Sequence, residues 1–210
     1  MAAEVDIYNI ALARIGVFET AIQDVNEASK AANVCRMFFD SIRDYVLEDF
    51  PWPFAEKRVL LADLGTPPTN WDYKYAYPAD CLSAKYIAVE GARNPRDTQK
   101  IPFRIANDAD VKVILCDWPD AELVYTAQVT DLNLWTNCAR SALAYRLAAE
   151  IAMPMSVKPD IANSAMNGYY REKSIAAANT MNEGQPDAQP ESEFIAIRGT
   201  TSNADLTGAQ

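Results

Sequence analysis

Residues Ala31–Arg58 read AANVCRMFFDSIRDYVLEDFPWPFAEKR. The first part repeats apolar residues at three and four. Ala31, Val34, Cys35, Phe38, Ile42, Tyr45, Val46 and Phe50 are predicted to fall on one stripe of a helix. Arg36, Asp40, Arg43, Asp44 and Glu48 lie mostly off that stripe. Arg36 to Asp40 is an attractive i,i+4 step, and Asp40 to Asp44 a repulsive one. The helix is predicted over Glu27–Asp49 with Asn26 as its N-cap. It must stop at Pro51-Trp52-Pro53, because proline lacks an N–H and disfavours helix in the residue before it. The chain then leaves as an aromatic, extended segment, so one stretch joins a helical region to a strand region.

On its N-terminal side, Ile7, Ile10, Ala11, Arg14 and Ile15 predict a short helix over Val5–Ile15, ended by Gly16. Residues 17–26 are a linker. On its C-terminal side, Phe54–Val129 alternates short β-type runs with Pro, Gly and Asp breaks. Strands are predicted at Lys57–Leu61, Tyr73–Tyr77, Ala84–Val89, Ile101–Ile105, Lys112–Leu115 and Leu123–Gln128. They predict a small, mostly antiparallel sheet inserted between helices. Helix returns at Asp131, with Leu132, Trp135, Ala139, Leu143, Leu147 and Ile151 on one face and Pro154 as its stop. Pro159 opens a fourth helix to about Met181, with Ile161, Ala165, Tyr169 and Lys173 on one face. The expected class is α+β, with residues 1–55 and 130–183 helical and 56–129 an inserted β-rich domain.

After Gly184 the chain turns rich in Gly, Pro, Ser, Thr, Gln and Asn, with one apolar island, Phe194-Ile195-Ala196-Ile197. Residues 184–210 read equally as a frayed tail or as an arm that orders against a partner by strand addition.

The formal net charge is −10, and the loose basic cluster Arg93, Arg96, Lys100 and Arg104 is interrupted by acids. Phosphate binding needs a patch of Lys and Arg, so a nucleic-acid-binding module is disfavoured. Half the residues are hydrophobic, enough for a sizeable core. Cys35, Cys81, Cys116 and Cys138 lack the short spacing of zinc or redox motifs and read as buried thiols of a protein kept in a reducing cytosol. No secretory signal and no membrane span is expected.

The chain has no histidine, which removes Ser-His, Cys-His and His-metal chemistry. No Gly-rich phosphate loop occurs, and neither a cofactor nor a metal is expected. The carboxylate pairs Asp40/Asp44 and Asp108/Asp110 leave a carboxylate-dependent hydrolase as an alternative, one that needs a cleft with perturbed acids. The aromatics Phe50, Trp52, Phe54, Trp71, Tyr73, Tyr75 and Tyr77 could stack bases, but without a basic groove they read as core and interface packing.

Five segments in order carry a resemblance. They are Ile7-Tyr8-Asn9-Ile10-Ala11-Leu12-Ala13-Arg14-Ile15-Gly16; Cys35-Arg36-Met37-Phe38-Phe39-Asp40-Ser41-Ile42-Arg43-Asp44-Tyr45-Val46-Leu47; Phe50-Pro51-Trp52-Pro53-Phe54-Ala55; Tyr75-Ala76-Tyr77-Pro78-Ala79-Asp80-Cys81-Leu82; and Leu147-Ala148-Ala149-Glu150-Ile151-Ala152. Over residues 5–180 the chain resembles the tail adaptor proteins of short-tailed bacteriophages, also called head-to-tail connectors or tail tubular protein A. Pro53 departs from the polar residue more usual there and should stiffen the turn. The resemblance implies a mainly α-helical bundle with an inserted small antiparallel β domain and an extended C-terminal arm. It implies a non-enzymatic virion protein at the portal vertex, assembled in the host cytoplasm. Its partners would be the portal protein, the tail nozzle protein, a tail fibre and further copies of itself, usually twelve in a ring. Genomic DNA would pass through the ring without specific binding. Trp52, Phe54, Phe194, Ile195 and Ile197 are the expected interface residues.

Overall fold

The computed structural model describes residues 2–17, 21–89, 100–108 and 110–183. The elements in chain order are α1 (Ala2–Arg14), α2 (Lys30–Asp49), β1 (Glu56–Leu60), β2 (Tyr73–Ala76), β3 (Cys81–Val89), β4 (Phe103–Asp108), β5 (Val111–Cys116), β6 (Ala121–Ala127), α3 (Asn137–Ile151) and α4 (Pro159–Glu183). The class is mixed α+β. The chain to Ala177 forms one compact unit, and a second begins at Ala178.

Helix α2 begins later than its periodicity suggested. Ser29, not Asn26, is the N-cap, its hydroxyl accepting from the Ala32 N–H at 3.2 Å. Asn26 instead belongs to a turn held by Asp24, whose carboxylate accepts the Asn26 N–H at 2.7 Å. The buried face is Ala32, Cys35, Phe39, Ile42, Arg43, Val46 and Leu47. This is the predicted stripe rotated by about one residue, and Tyr45 is 45% exposed. Both Phe38 and Phe39 fit an apolar face. Phe39 wins because Tyr8 of α1 meets its ring edge-on at 5.2 Å.

At the end of α2 the chain turns through Trp52 and a short 3₁₀ turn, Pro53–Ala55, into β1. Trp52 is 1% exposed, and its indole N–H donates to the Val46 carbonyl at 2.7 Å. Phe50, Trp52, Phe54 and Trp135 form a chain of rings with successive centroids 4.6, 5.8 and 5.3 Å apart. Trp135 stands where the chain returns to the helices, and its indole N–H donates to the Val129 carbonyl at 3.2 Å. That return is not one helix from Asp131. Asp131 caps a 3₁₀ turn at Leu132–Leu134, and Thr136 caps α3 separately. The extended Trp135 between them aims its ring inward.

The strands form two three-stranded antiparallel sheets, ordered β1-β6-β3 and β2-β5-β4, rather than the single small sheet expected. β1 meets β6 with Arg58 opposite Val124, and β4 meets β5 with Ile105 opposite Ile114. Beyond β1, Ala62 accepts from Ala76 and the Leu64 N–H donates to Lys74, so this edge reaches β2. On the other side Ile101 bridges to Ile87 of β3. Ile101 was predicted inside a strand, but Pro102 has no N–H to continue the ladder, and β4 starts at Phe103. The neighbours close a circuit β1-β6-β3-β4-β5-β2 and back to β1. Its enclosed core is Leu61, Tyr75, Cys81, Ile87, Ile114, Cys116, Ala121, Leu123, Tyr125 and Ala127.

A separate core joins the helices. α3 supplies Ala139, Ala142, Leu143, Ala144, Leu147, Ala148 and Ile151, a face small enough for α1 and α2 to close on it. Trp52, Ala55, Val129, Leu132 and Trp135 belong to this core, and Leu82 of β3 packs against it. Replacing Trp52 by alanine should cost about 3–5 kcal/mol through the lost burial and the cavity left behind. Replacing it by phenylalanine loses the N–H bond to Val46 and part of the buried ring, and should cost about 2 kcal/mol, less than the alanine variant. Urea unfolding of both variants measures the difference.

Candidate interaction surface

The resemblance-bearing residues act first as joints within the chain. Asn9 clamps the loop after α1: its amide N–H donates to the Ile22 carbonyl at 2.9 Å, and its oxygen accepts the Ile22 N–H at 2.8 Å. Arg14 donates to the backbone and hydroxyl oxygens of Ser141 at 2.8 and 2.9 Å, and its guanidinium lies 3.4 Å from the centre of the Tyr145 ring. Gly16 has φ +75°, the left-handed conformation that ends α1.

In α2, Arg43 is buried although the pattern placed it off the stripe. It donates to Asp40 at 2.7 Å and to Asp44 at 2.9 and 3.0 Å. The expected Asp40–Asp44 repulsion is thereby converted into a shared cation. Asp44 also accepts from Gln128, just beyond β6, at 2.7 Å, which ties helix to sheet. Arg36 does not reach Asp40. It donates to the Val25 carbonyl and to Asn33. Of the second carboxylate pair, Asp108 pairs with Lys74 of β2 at 3.0 Å, and Asp110 sits in the β4–β5 turn with φ 66°.

Asp80 is the corresponding joint in the strands. It accepts from Lys57 at 2.7 Å and from the Tyr125 hydroxyl at 2.9 Å, and its carbonyl accepts the Gln128 N–H. The Lys57 bond holds its carboxyl below the usual range, with Tyr125 adding to it against a smaller opposing effect of burial. Burial and the Asp80 bond push the Tyr125 hydroxyl up to about 12. Burial likewise raises the Cys35 thiol to about 12, which makes it inert at neutral pH. Among the described residues no group of His, Cys, Asp or Glu is arranged to hold a metal ion. No described helix is long and apolar enough to cross a membrane.

Of the expected interface residues, Trp52 lies in the helical core. Its ring is enclosed by Phe50, Phe54 and its own helix end. Phe54 is half-buried against Trp135. Phe194, Ile195 and Ile197 lie outside the described residues, as do Arg93 and Arg96 of the basic cluster. Lys100 of that cluster sits over the Tyr86 ring at 4.9 Å.

The exposed apolar side chains lie elsewhere. Met37, Leu134, Met153 and Val111 are each more than half exposed. Trp118 is 42% exposed in the short loop that crosses from β5 of one sheet to β6 of the other. The loop is pinned: the Trp118 carbonyl accepts from the Tyr75 hydroxyl at 2.9 Å, and Asp117 accepts the Asp72 N–H at 3.1 Å. Asp120 completes the turn with φ 50°. Leu60 and Leu64 flank the Leu61–Ala121 hydrogen bond at the same end of the circuit and are also exposed. A fixed loop presenting an indole has little ordering entropy left to lose on binding, which suits a contact residue. The Asp-Trp-Pro-Asp turn was legible, but its tryptophan is the signal that sequence reading passed over.

The chain matches no family model, and no curated protein matches it.

Asp80 gives a pH prediction. Its folded pKa is depressed, so its contribution to stability is full above the ordinary carboxylate range and is lost as pH falls through that range to the folded value. Asp80→Asn should therefore lower stability at neutral pH and flatten its decline on the acid side. Thermal unfolding midpoints from neutral to acidic pH, compared with the parent chain, measure both effects.

Proposed function

We propose that the protein is a structural adaptor of a short-tailed bacteriophage virion: a ring-forming subunit that joins the portal protein to the tail nozzle. The observation that carries this reading is the ordered set of five segments, from Ile7–Gly16 to Leu147–Ala152, taken together with the work those residues do. Asn9, Arg14, Arg43, Asp44, Trp52 and Asp80 brace the chain from inside. Bracing of this kind suits a part that transmits load. In this reading the helices are a bundle, the strand circuit is its inserted β domain, and residues 184–210 are an arm that engages a partner.

Exposed Trp118, Met37, Leu134 and Met153 give lateral and axial contacts their apolar anchors. A ring of twelve such chains, each at −10, would multiply an acidic field that keeps passing DNA from adhering. A tail fibre would be a further contact. The subunit would be made in the host cytoplasm and end in the virion tail.

The test is the mass of the purified protein in solution, alone and mixed with the portal of the same virus. A portal-bound ring is expected. A chain that stays small and ignores the portal would sink the reading. Trp118→Ser should leave unfolding free energy within about 0.5 kcal/mol of the parent, as exposed substitutions usually do, while weakening assembly in the same mass measurement.

A further inference from the structure

Helix α4 is held to the rest of its unit differently from α1, α2 and α3. Its buried side chains are Ala165, Tyr169 and Ala176, with Ile161, Ala162 and Met166 partly buried. Tyr170 and Ile175 are exposed. Tyr169 is the one large side chain of α4 that is fully buried among the described residues, and its hydroxyl ends on Oδ2 of Asp49, at the last turn of α2. Lys173, one turn further along α4, donates to the same oxygen at 2.8 Å. Burial would raise the Asp49 carboxyl, but the Lys173 and Tyr169 bonds outweigh it and hold the group below its usual range, with Arg146 of α3 contributing. Burial and the same bond push the Tyr169 hydroxyl up, as does nearby Tyr45 of α2.

The second attachment is a close approach. A Cβ at Gly168 would stand 2.5 Å from the Tyr145 ring of α3. That ring cannot easily yield, because the Arg14 guanidinium lies against it. Between α3 and α4 the chain carries Pro154, then Ser156 at φ 61°, then Pro159 as the first residue of α4. Serine is disfavoured in that left-handed conformation. The linker is kept compact by bonds from Ser156 to Met153 and from Val157 to Ala152.

We propose that α4 is a releasable strap, latched by the Asp49 carboxylate and the Gly168–Tyr145 approach. It opens about residues 153–158 while α1–α3 and the strands stay folded. A partly polar attachment over small apolar side chains lies at the low-stability end of a structure, and the left-handed serine marks where the chain gains by extending. Opening would swing a helix of 25 residues, about 37 Å long, and change the reach of whatever follows it. The inference does not depend on the adaptor reading, because the strap would open with or without a ring.

Amide hydrogen exchange on the full chain tests it. In the parent chain, residues 161–177 should exchange about tenfold or more faster than the α3 core. Asp49→Ala should raise exchange in that stretch by about another tenfold, the value of a charge-assisted bond, and leave α3, β5 and β6 unchanged. Gly168→Ala should do the same without touching the carboxylate. Ser156→Gly, which removes the left-handed strain from the linker, should slow it. If α4 and α3 exchange together in the parent, or if Asp49→Ala and Gly168→Ala raise exchange evenly across the chain, α4 is part of the global unfolding unit and the strap is overturned. Should Asp49→Ala fail to fold, Ser156→Gly and Gly168→Ala still decide, because they must move α4 exchange in opposite directions.

Discussion

The chain crosses between helices and strands twice, and both crossings are built around a tryptophan whose indole N–H is satisfied by a backbone carbonyl six residues earlier. This constraint organises the rest. A buried indole without a partner would cost roughly 1–3 kcal/mol, so each ring can enter the core only where the backbone presents a carbonyl to it. Val46 does so near the end of α2, and Val129 just after β6. Phe54 fills the space between the two rings. The exit and the return of the strand region are therefore fixed against each other. The ends of β1 and β6 that pair as Glu56 with Thr126 are held in register by the same joint.

The strands were legible because each is short, rich in Val, Ile and Tyr, and bounded by Pro, Gly or Asp. Their edges shifted where a backbone rule intervened, as at Pro102. What period could not convey was the circuit. Residues 62–64, which have no strand pattern of their own, and Ile101, cut off from β4 by Pro102, close it with a few hydrogen bonds. The face of α2 was legible only to within one residue, because Ala31-Ala32 and Phe38-Phe39 are adjacent pairs that satisfy either stripe. The choice is made by Tyr8 and α3, which lie far away in sequence. The same limit hid Tyr169–Asp49 and Arg14–Ser141, pairs separated by 120 and 127 residues.

The aromatic density near the end of α2 predicts both core and interface packing, and Trp52 lies on the core side of that pair. The reason is geometric. Pro51 and Pro53 stay exposed while the ring between them enters the core, where the Val46 carbonyl accepts its N–H. Trp118 is also followed by a proline, but it sits in the loop between the two sheets, which is pinned by the Tyr75 hydroxyl on the Trp118 carbonyl and by the Asp72 N–H on the Asp117 carboxylate. That pinning leaves its ring outside. Two tryptophans beside prolines thus have opposite fates: the Trp52 N–H is drawn to a carbonyl in the core, and Trp118 stays at the surface of a pinned loop.

The internal bracing also bears on the charge balance. The chain has 19 Lys and Arg against 29 Asp and Glu. Arg43, Lys57, Lys74, Lys85, Arg146 and Lys173 are each engaged in an ion pair within the chain, and Arg14 is stacked on Tyr145. Exposed pairs of this kind contribute little to stability individually. Lys57, Lys74, Lys85 and Lys173 make their pairs between elements and Arg43 and Arg146 within one helix, while the excess carboxylates supply the outward field. A chain arranged this way presents few mobile cations to a phosphate backbone. The acidic excess itself is set by composition, because each pair takes up a carboxylate with its cation, and a substitution that removes the carboxylate of a joint would free its cation.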